Sequence, residues 1–197
     1  MEHQSPTFVD ANGFAIATRS LLLEVTASTD AELDFTGLDD SFPRYVIEGD
    51  NVRADTNDVT LNALFSIEGS FKSGVADYGW VASASSSDGT GGQSQDASDS
   101  KISTCRTTSN DLWGVSAGQR GDITFTITRG GSSNHPRLWS TTVFYSDGSD
   151  FVRTEGFGAY TGLTSDPADD LHKIDGVRLY FSLGAIESGT FRLYGVE

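Results

Sequence analysis

Residues 123–129 read ITFTITR, and this strict alternation constrains the fold more than any other stretch of the chain. Ile123, Phe125 and Ile127 fall on one side of an extended backbone, and Thr124, Thr126 and Thr128 fall on the other. A repeat of two suits a strand buried on one face. A helix with about 3.6 residues per turn would scatter the same side chains around its circumference. Residues 176–182 (GVRLYFS) and 190–196 (TFRLYGV) alternate likewise, with Val177, Leu179, Phe181, Phe191 and Leu193 as the core face and residues 183–189 as the connection. Between such runs lie turn formers: 22 glycines and many Ser, Thr, Asp and Asn.

Further short runs stand at residues 19–25, 31–35, 45–52, 59–68, 78–83, 139–145 and 151–160. About ten strands at this spacing predict an all-β chain, an antiparallel β-sandwich of jelly-roll-like form. With 197 residues, roughly 70% of the unfolded surface can be buried, so one domain over residues 19–197 needs no disulfide or metal staple. Cys105 stands alone, which excludes an intrachain disulfide and a cysteine-based metal cluster. Residues 1–18 read as a polar N-terminal arm, apolar only at Phe8-Val9 and Phe14-Ala15-Ile16. Phe8 and Phe14 are therefore candidate partner contacts, for an arm lying on a neighbouring subunit. Residues 83–100 (SASSSDGTGGQSQDASDS) hold no large apolar side chain. They read as a flexible insertion loop, or as an arm that orders only against a partner.

Thirteen Lys and Arg against 28 Asp and Glu leave a net charge of 13 − 28 = −15. A surface of that sign repels phosphate backbones and anionic lipid, which argues against nucleic-acid and membrane partners. No apolar run approaches the length of about 18 residues expected of a membrane span. The first residues lack the basic-then-apolar pattern of a signal peptide. Gly114-Val115-Ser116-Ala117-Gly118 matches G-x-S-x-G, but it is neither preceded by a buried strand nor followed by a helix pattern, so it reads as a turn. His3, His135 and His172 lack metal-ligand spacing. Asp-rich turns at Asp39-Asp40, Asp55-Asn57-Asp58, Asp147-Asp150 and Asp166-Asp169-Asp170 lack the order of a calcium loop. No enzymatic activity, metal or cofactor is expected. Among the three tryptophans, Trp80 and Trp139 lie within apolar runs and read as core. Trp113, in polar surroundings, is the candidate ligand or partner contact.

Three segments resemble a family of small virion-associated proteins of tailed phages. Residues 21–35 (LLLEVTASTDAELDF) are similar to an opening pair of strands ending in TAS and DF. Residues 45–58 (YVIEGDNVRADTND) are similar to a Y-x-I-x-x-x-N-V-x-P-A-T-D element, with Ala54 in place of its proline. Residues 174–196 resemble the closing hairpin I-x-G-I-R-x-x-x-S-x-G-x-I-x-x-G-T-x-x-L-Y-G, most specifically at Gly189-Thr190 and Leu193-Tyr194-Gly195. The resemblance implies a non-enzymatic virion structural protein assembled in the host cytoplasm: a tail-fibre or receptor-contacting component, or a head decoration protein. Its partners would be other phage virion proteins and further copies of itself, a trimer being one form, although the oligomer does not follow from the chain. The alternative from another class is a stand-alone carbohydrate-binding module that engages host surface glycan.

Overall fold

A computed structural model describes residues 18–105, 113–114, 119–130, 135–145, 150–162 and 173–197. The expected N-terminal arm, with Phe8 and Phe14, lies outside the described residues. The described chain is all-β. Its strands are β1 (Arg19–Asp30), β2 (Leu33–Thr36), β3 (Arg44–Ala54), β4 (Leu61–Ile67), β5 (Ser70–Phe71), β6 (Tyr78–Ser86) and β7 (Gly91–Asp99). They continue with β8 (Ile102–Ser103), β9 (Gly121–Thr128), β10 (Arg137–Tyr145), β11 (Phe151–Tyr160), β12 (Gly176–Phe181) and β13 (Ile186–Val196).

Two antiparallel sheets form a sandwich-like arrangement. The larger has eight strands in the order β1-β13-β3-β9-β10-β11-β6-β7, and the smaller runs β2-β12-β4-β5, with β8 also paired to β4. Strands β9, β10 and β11 form a consecutive meander, and the order of neighbours does not by itself single out a jelly roll.

The alternating runs behave as their spacing predicts. Ile123, Phe125 and Ile127 are buried, while the intervening threonines of β9 are half-exposed. Aromatic pairs close the core between the sheets. Phe35 of β2 meets Phe191 of β13 at 6.3 Å between ring centroids, and Phe65 of β4 meets Tyr78 of β6 at 6.0 Å. Aromatic pairs contribute about 0.5–1.5 kcal/mol beyond the area they bury, and these two are tilted at 50° and 57°. Tyr45 and Tyr78 also fasten connections through their hydroxyls. Tyr45 Oη accepts from the Asp39 N–H and donates to the Asp39 carbonyl; Tyr78 Oη accepts from the Phe65 N–H and donates to the Lys72 carbonyl. Burial raises the pKa of the Tyr78 phenol above its ordinary value, so it remains a neutral donor.

The segments that carried the family resemblance meet in space. The Ala185 N–H donates to the Asp55 carboxylate at 2.8 Å, and the Asp55 N–H donates to the Ala185 carbonyl at 3.1 Å. Beside this clamp Gly184 has φ of 75°, and a Cβ there would lie 2.0 Å from Asp55 Oδ1. Gly195 lies against the ring of Phe42, which a Cβ would reach at 2.4 Å. These motif residues are fitted to turn geometry and close packing.

Residues 83–100 depart from the loop expectation. They form the end of β6, the turn around Asp88-Gly89, and the edge strand β7. The Ser86 N–H donates to the Thr90 carbonyl, the Gly89 N–H donates to the Ser86 carbonyl, and Asp88 accepts from the Thr90 N–H. An edge strand is held by the backbone ladder of its neighbour and needs no apolar side chain of its own.

Candidate functional site

The solvent face of the larger sheet carries a lateral row that no single stretch of sequence displays. Register places Tyr194 opposite Val46, Val46 opposite Thr126, and Thr126 opposite Trp139. Trp139 in turn stands opposite Phe157, Phe157 opposite Val81, and Val81 opposite Gln95. The row thus crosses seven strands, and at about 4.8 Å per strand it extends for roughly 29 Å.

Its centre is open. Trp139 is 55% exposed and Phe157 is 38% exposed, with their rings edge-to-face at 6.5 Å and 73°. Strand alternation explains their position: Leu138, Ser140 and Thr142 of β10 point inward, as do Thr154, Gly156 and Gly158 of β11. Trp139 therefore corrects the core reading of its apolar run. Shallow depressions lie on either side of Phe157. One of about 250 Å³ is bounded by Trp139, Glu155, Ser83 and Gln93. The other, of about 330 Å³, is bounded by Trp80, Gln95, Asp96 and Ala97.

Charged side chains flank the row. Arg137 lies two residues from Trp139 on β10, and Arg44 two residues from Val46 on β3, so alternation places both on this face, and both are exposed. Arg19 pairs with Glu48 at 2.5 Å, and Arg153 pairs with Glu155 at 2.5 Å. Arg192 joins Glu24 and Asp50. Arg44 and Arg137 have no ion pair among the described residues. Behind the row, the Trp80 indole N–H donates to Asp99 at 2.9 Å, and Lys101 pairs with the same carboxylate. Burial acts to raise the pKa of Asp99, but the bonds from Trp80, Lys101 and the Ser100 N–H hold it below the ordinary value.

Trp113 does not lie at a surface. It is fully buried and stacks on Phe144 at 4.6 Å with nearly parallel rings, and its edge meets Phe181. Backbone pairing with Val59 draws the polar-flanked tryptophan between the sheets. The candidate contact is thus a core residue, and Trp139 is the tryptophan that faces solvent. Sequence reading missed Trp139 because β10 mixes apolar and hydroxyl residues on both faces; the exposed apolar partner emerges only from pairing with β11.

Of the other sequence candidates, Ser116, His3 and His172 lie outside the described residues, and His135 is exposed beside Asp40, Arg129 and Arg137. The Asp39 carboxylate accepts from the Ser41 N–H, which lowers its pKa. Asp40 receives Lys173 and Arg129, while Asp55 closes the clamp to Ala185. Among the described residues no group of three His, Cys, Asp or Glu is arranged to hold a metal, and no helix is long and apolar enough to cross a membrane. Compared with protein families, curated proteins and solved structures, the chain matches none.

Proposed function

We propose that this chain is a non-enzymatic component of a bacteriophage virion, of the tail-fibre or receptor-contacting kind, which meets its target through the solvent face of the larger sheet. The observation that carries this reading is the exposed Trp139–Phe157 pair at the centre of a stiff, multi-strand surface. Large aromatic side chains left in water on a rigid scaffold are characteristic of contact surfaces, since burying them on binding costs little conformational entropy. The resemblance of the closing hairpin to virion proteins supports the location, and assembly would take place in the host cytoplasm. A head decoration protein is the neighbouring form of this reading.

Immunogold electron microscopy of particles of the encoding phage tests it. Gold at the tail supports a receptor-contacting part, and gold over the head moves the chain to decoration. Unlabelled particles, from lysates that contain the protein, would overturn the virion reading. The same aromatic face also favours a second reading, a stand-alone carbohydrate-binding module, which would then take its place.

Association with further copies has a suitable seat on β1. Among the described residues this edge strand is paired on one side only, and Leu21, Leu22 and Leu23 are all exposed. Antiparallel apposition of two such edges centred between Leu21 and Leu22 would set Arg19 of one copy opposite Glu24 of the other. Long apolar edges of this kind pair readily with another chain.

A further inference from the structure

We propose that the Trp139–Phe157 face is a binding site for an acidic polysaccharide, whose sugar rings lie against the two aromatic side chains and whose carboxylates pair with Arg137 and Arg44. The proposal names the ligand of the contact surface described above and rests on reading that surface as the contact face.

The shape of the surface favours a linear polymer over a folded protein. The exposed apolar strip, Trp139 and Phe157, is essentially one residue wide and ends at Thr126, beyond which Val46 is buried. A stable protein interface buries about 800 Å² per partner around a broad apolar centre. Here polar and charged rows border the strip on both sides: Thr128 and Arg137 on one, Thr124, Thr141 and Glu155 on the other. A sugar chain matches this pattern, because pyranose rings present apolar C–H faces to an aromatic ring while their hydroxyls reach outward. Ser83, Gln93 and Gln95 stand exposed around the two depressions as hydroxyl and amide partners for those groups.

Charge identifies the class of sugar. The chain has 28 acidic residues against 13 basic ones, so an arginine without a carboxylate is notable. Arg19, Arg53, Arg129, Arg153, Arg178 and Arg192 each hold one. Arg44 and Arg137, both on this face, hold none among the described residues, and neither do Arg120 and Lys72 elsewhere on the molecule. The face also carries Glu48 and Glu155, which are paired with Arg19 and Arg153, and Asp122 at the opposite end of β9 from the arginines, which among the described residues accepts only the Asn51 N–H. Two of the four cations left without an ion pair among the described residues thus lie beside the aromatic row, while Asp96 on β7 bounds the far end, beyond Phe157. A guanidinium offers a planar pair of donors matched to a sugar carboxylate. The net charge of −15 does not cancel this attraction. At physiological salt, fields are screened over about 8 Å, so the nearest arginines dominate. Repulsion from the many carboxylates elsewhere disfavours other approaches by a polyanion.

Isothermal calorimetry on the full chain tests the proposal, with polygalacturonate and hyaluronate as uronate probes and dextran as the neutral control. The expected result is binding of a uronate polymer and none of dextran. Trp139→Ala should weaken that binding about tenfold or more, and Arg44→Ala combined with Arg137→Ala should weaken it comparably. Both variants should keep the wild-type thermal midpoint within a few degrees, since all three side chains are exposed. Binding to neither uronate polymer, equal binding to dextran, or uronate binding indifferent to these substitutions would each overturn the proposal. So would a dimer in the ultracentrifuge that Trp139→Ala dissolves, because the face would then belong to a second copy. Failure here is distinguishable from failure of the virion reading: unlabelled particles with intact uronate binding would remove only the phage location, whereas labelled tails without it would remove only the ligand.

Discussion

Trp113 and Trp139 occupy two regions built from the same strand, and the contrast is instructive. On β10, Phe144 points inward and forms the floor beneath Trp113, while Trp139 points outward beside Phe157. Trp113 comes from a polar stretch and is sealed between the sheets; Trp139 comes from an apolar stretch and stands in water. Local polarity therefore misreads both. What decides is which face of a strand, or which gap between sheets, the backbone pairing assigns to the residue.

The strongest way to break the contrast is to truncate both rings. Trp113→Ala should lower stability by about 3–5 kcal/mol, read as a large fall in urea midpoint, because it leaves a cavity between Phe144 and Phe181. Trp139→Ala should cost no more than about 1 kcal/mol, the worth of an exposed cross-strand pair. Equal losses would erase the distinction between the two regions.

Adding a methyl group probes the closed side from the opposite direction. A Cβ at Gly158 would lie 2.4 Å from the Ile102 side chain, so Gly158→Ala should cost about 1–3 kcal/mol through overpacking. Wild-type stability in thermal melts would mean that the interior yields more than its packing implies.

Acid should act on the hydrogen-bonded carboxylates that fasten the loops and the Trp80 indole. Asp39, Asp55 and Asp99 all have folded pKa values below the ordinary one, held down in Asp55 first by the Ala185 N–H and then by the Thr56 hydroxyl. Because the depressed form is the folded one, this stability is present above about pH 4 and is lost as pH falls below it. Urea midpoints measured from pH 7 to pH 2 should decline over that window, and Asp55→Asn should make the decline shallower. An unchanged slope would mean that the clamp carries no charge-dependent stability.

The smallest expected effect on the fold is at the outer edge. Leu22→Lys should leave thermal stability within about 0.5 kcal/mol while reducing self-association in the analytical ultracentrifuge. A wild-type mass distribution would separate β1 from any oligomer.

Much of the architecture was legible in the chain because alternation is a local property. The runs containing Ile123, Val177 and Phe191 each reveal strand and core face without their neighbours. The hairpin at residues 83–100 was less legible, since its strands are small and polar, though Asp88-Gly89 is a recognised turn signal. The candidate site was not legible. Trp139 and Phe157 are 18 positions apart, Val46 and Gln95 are further still, and no local pattern marks them as neighbours.

The sequence by itself determined the alternating strands such as β9, β12 and β13, their inward side chains and the acidity, because each depends on backbone period or simple addition. Only the tertiary structure decided that Trp113 is sealed, that residues 91–99 extend a sheet, and that Trp139, Phe157 and two arginines with no ion pair among the described residues share one face. Those facts depend on register between strands far apart in the chain, and a shift of one residue would turn each side chain to the opposite face.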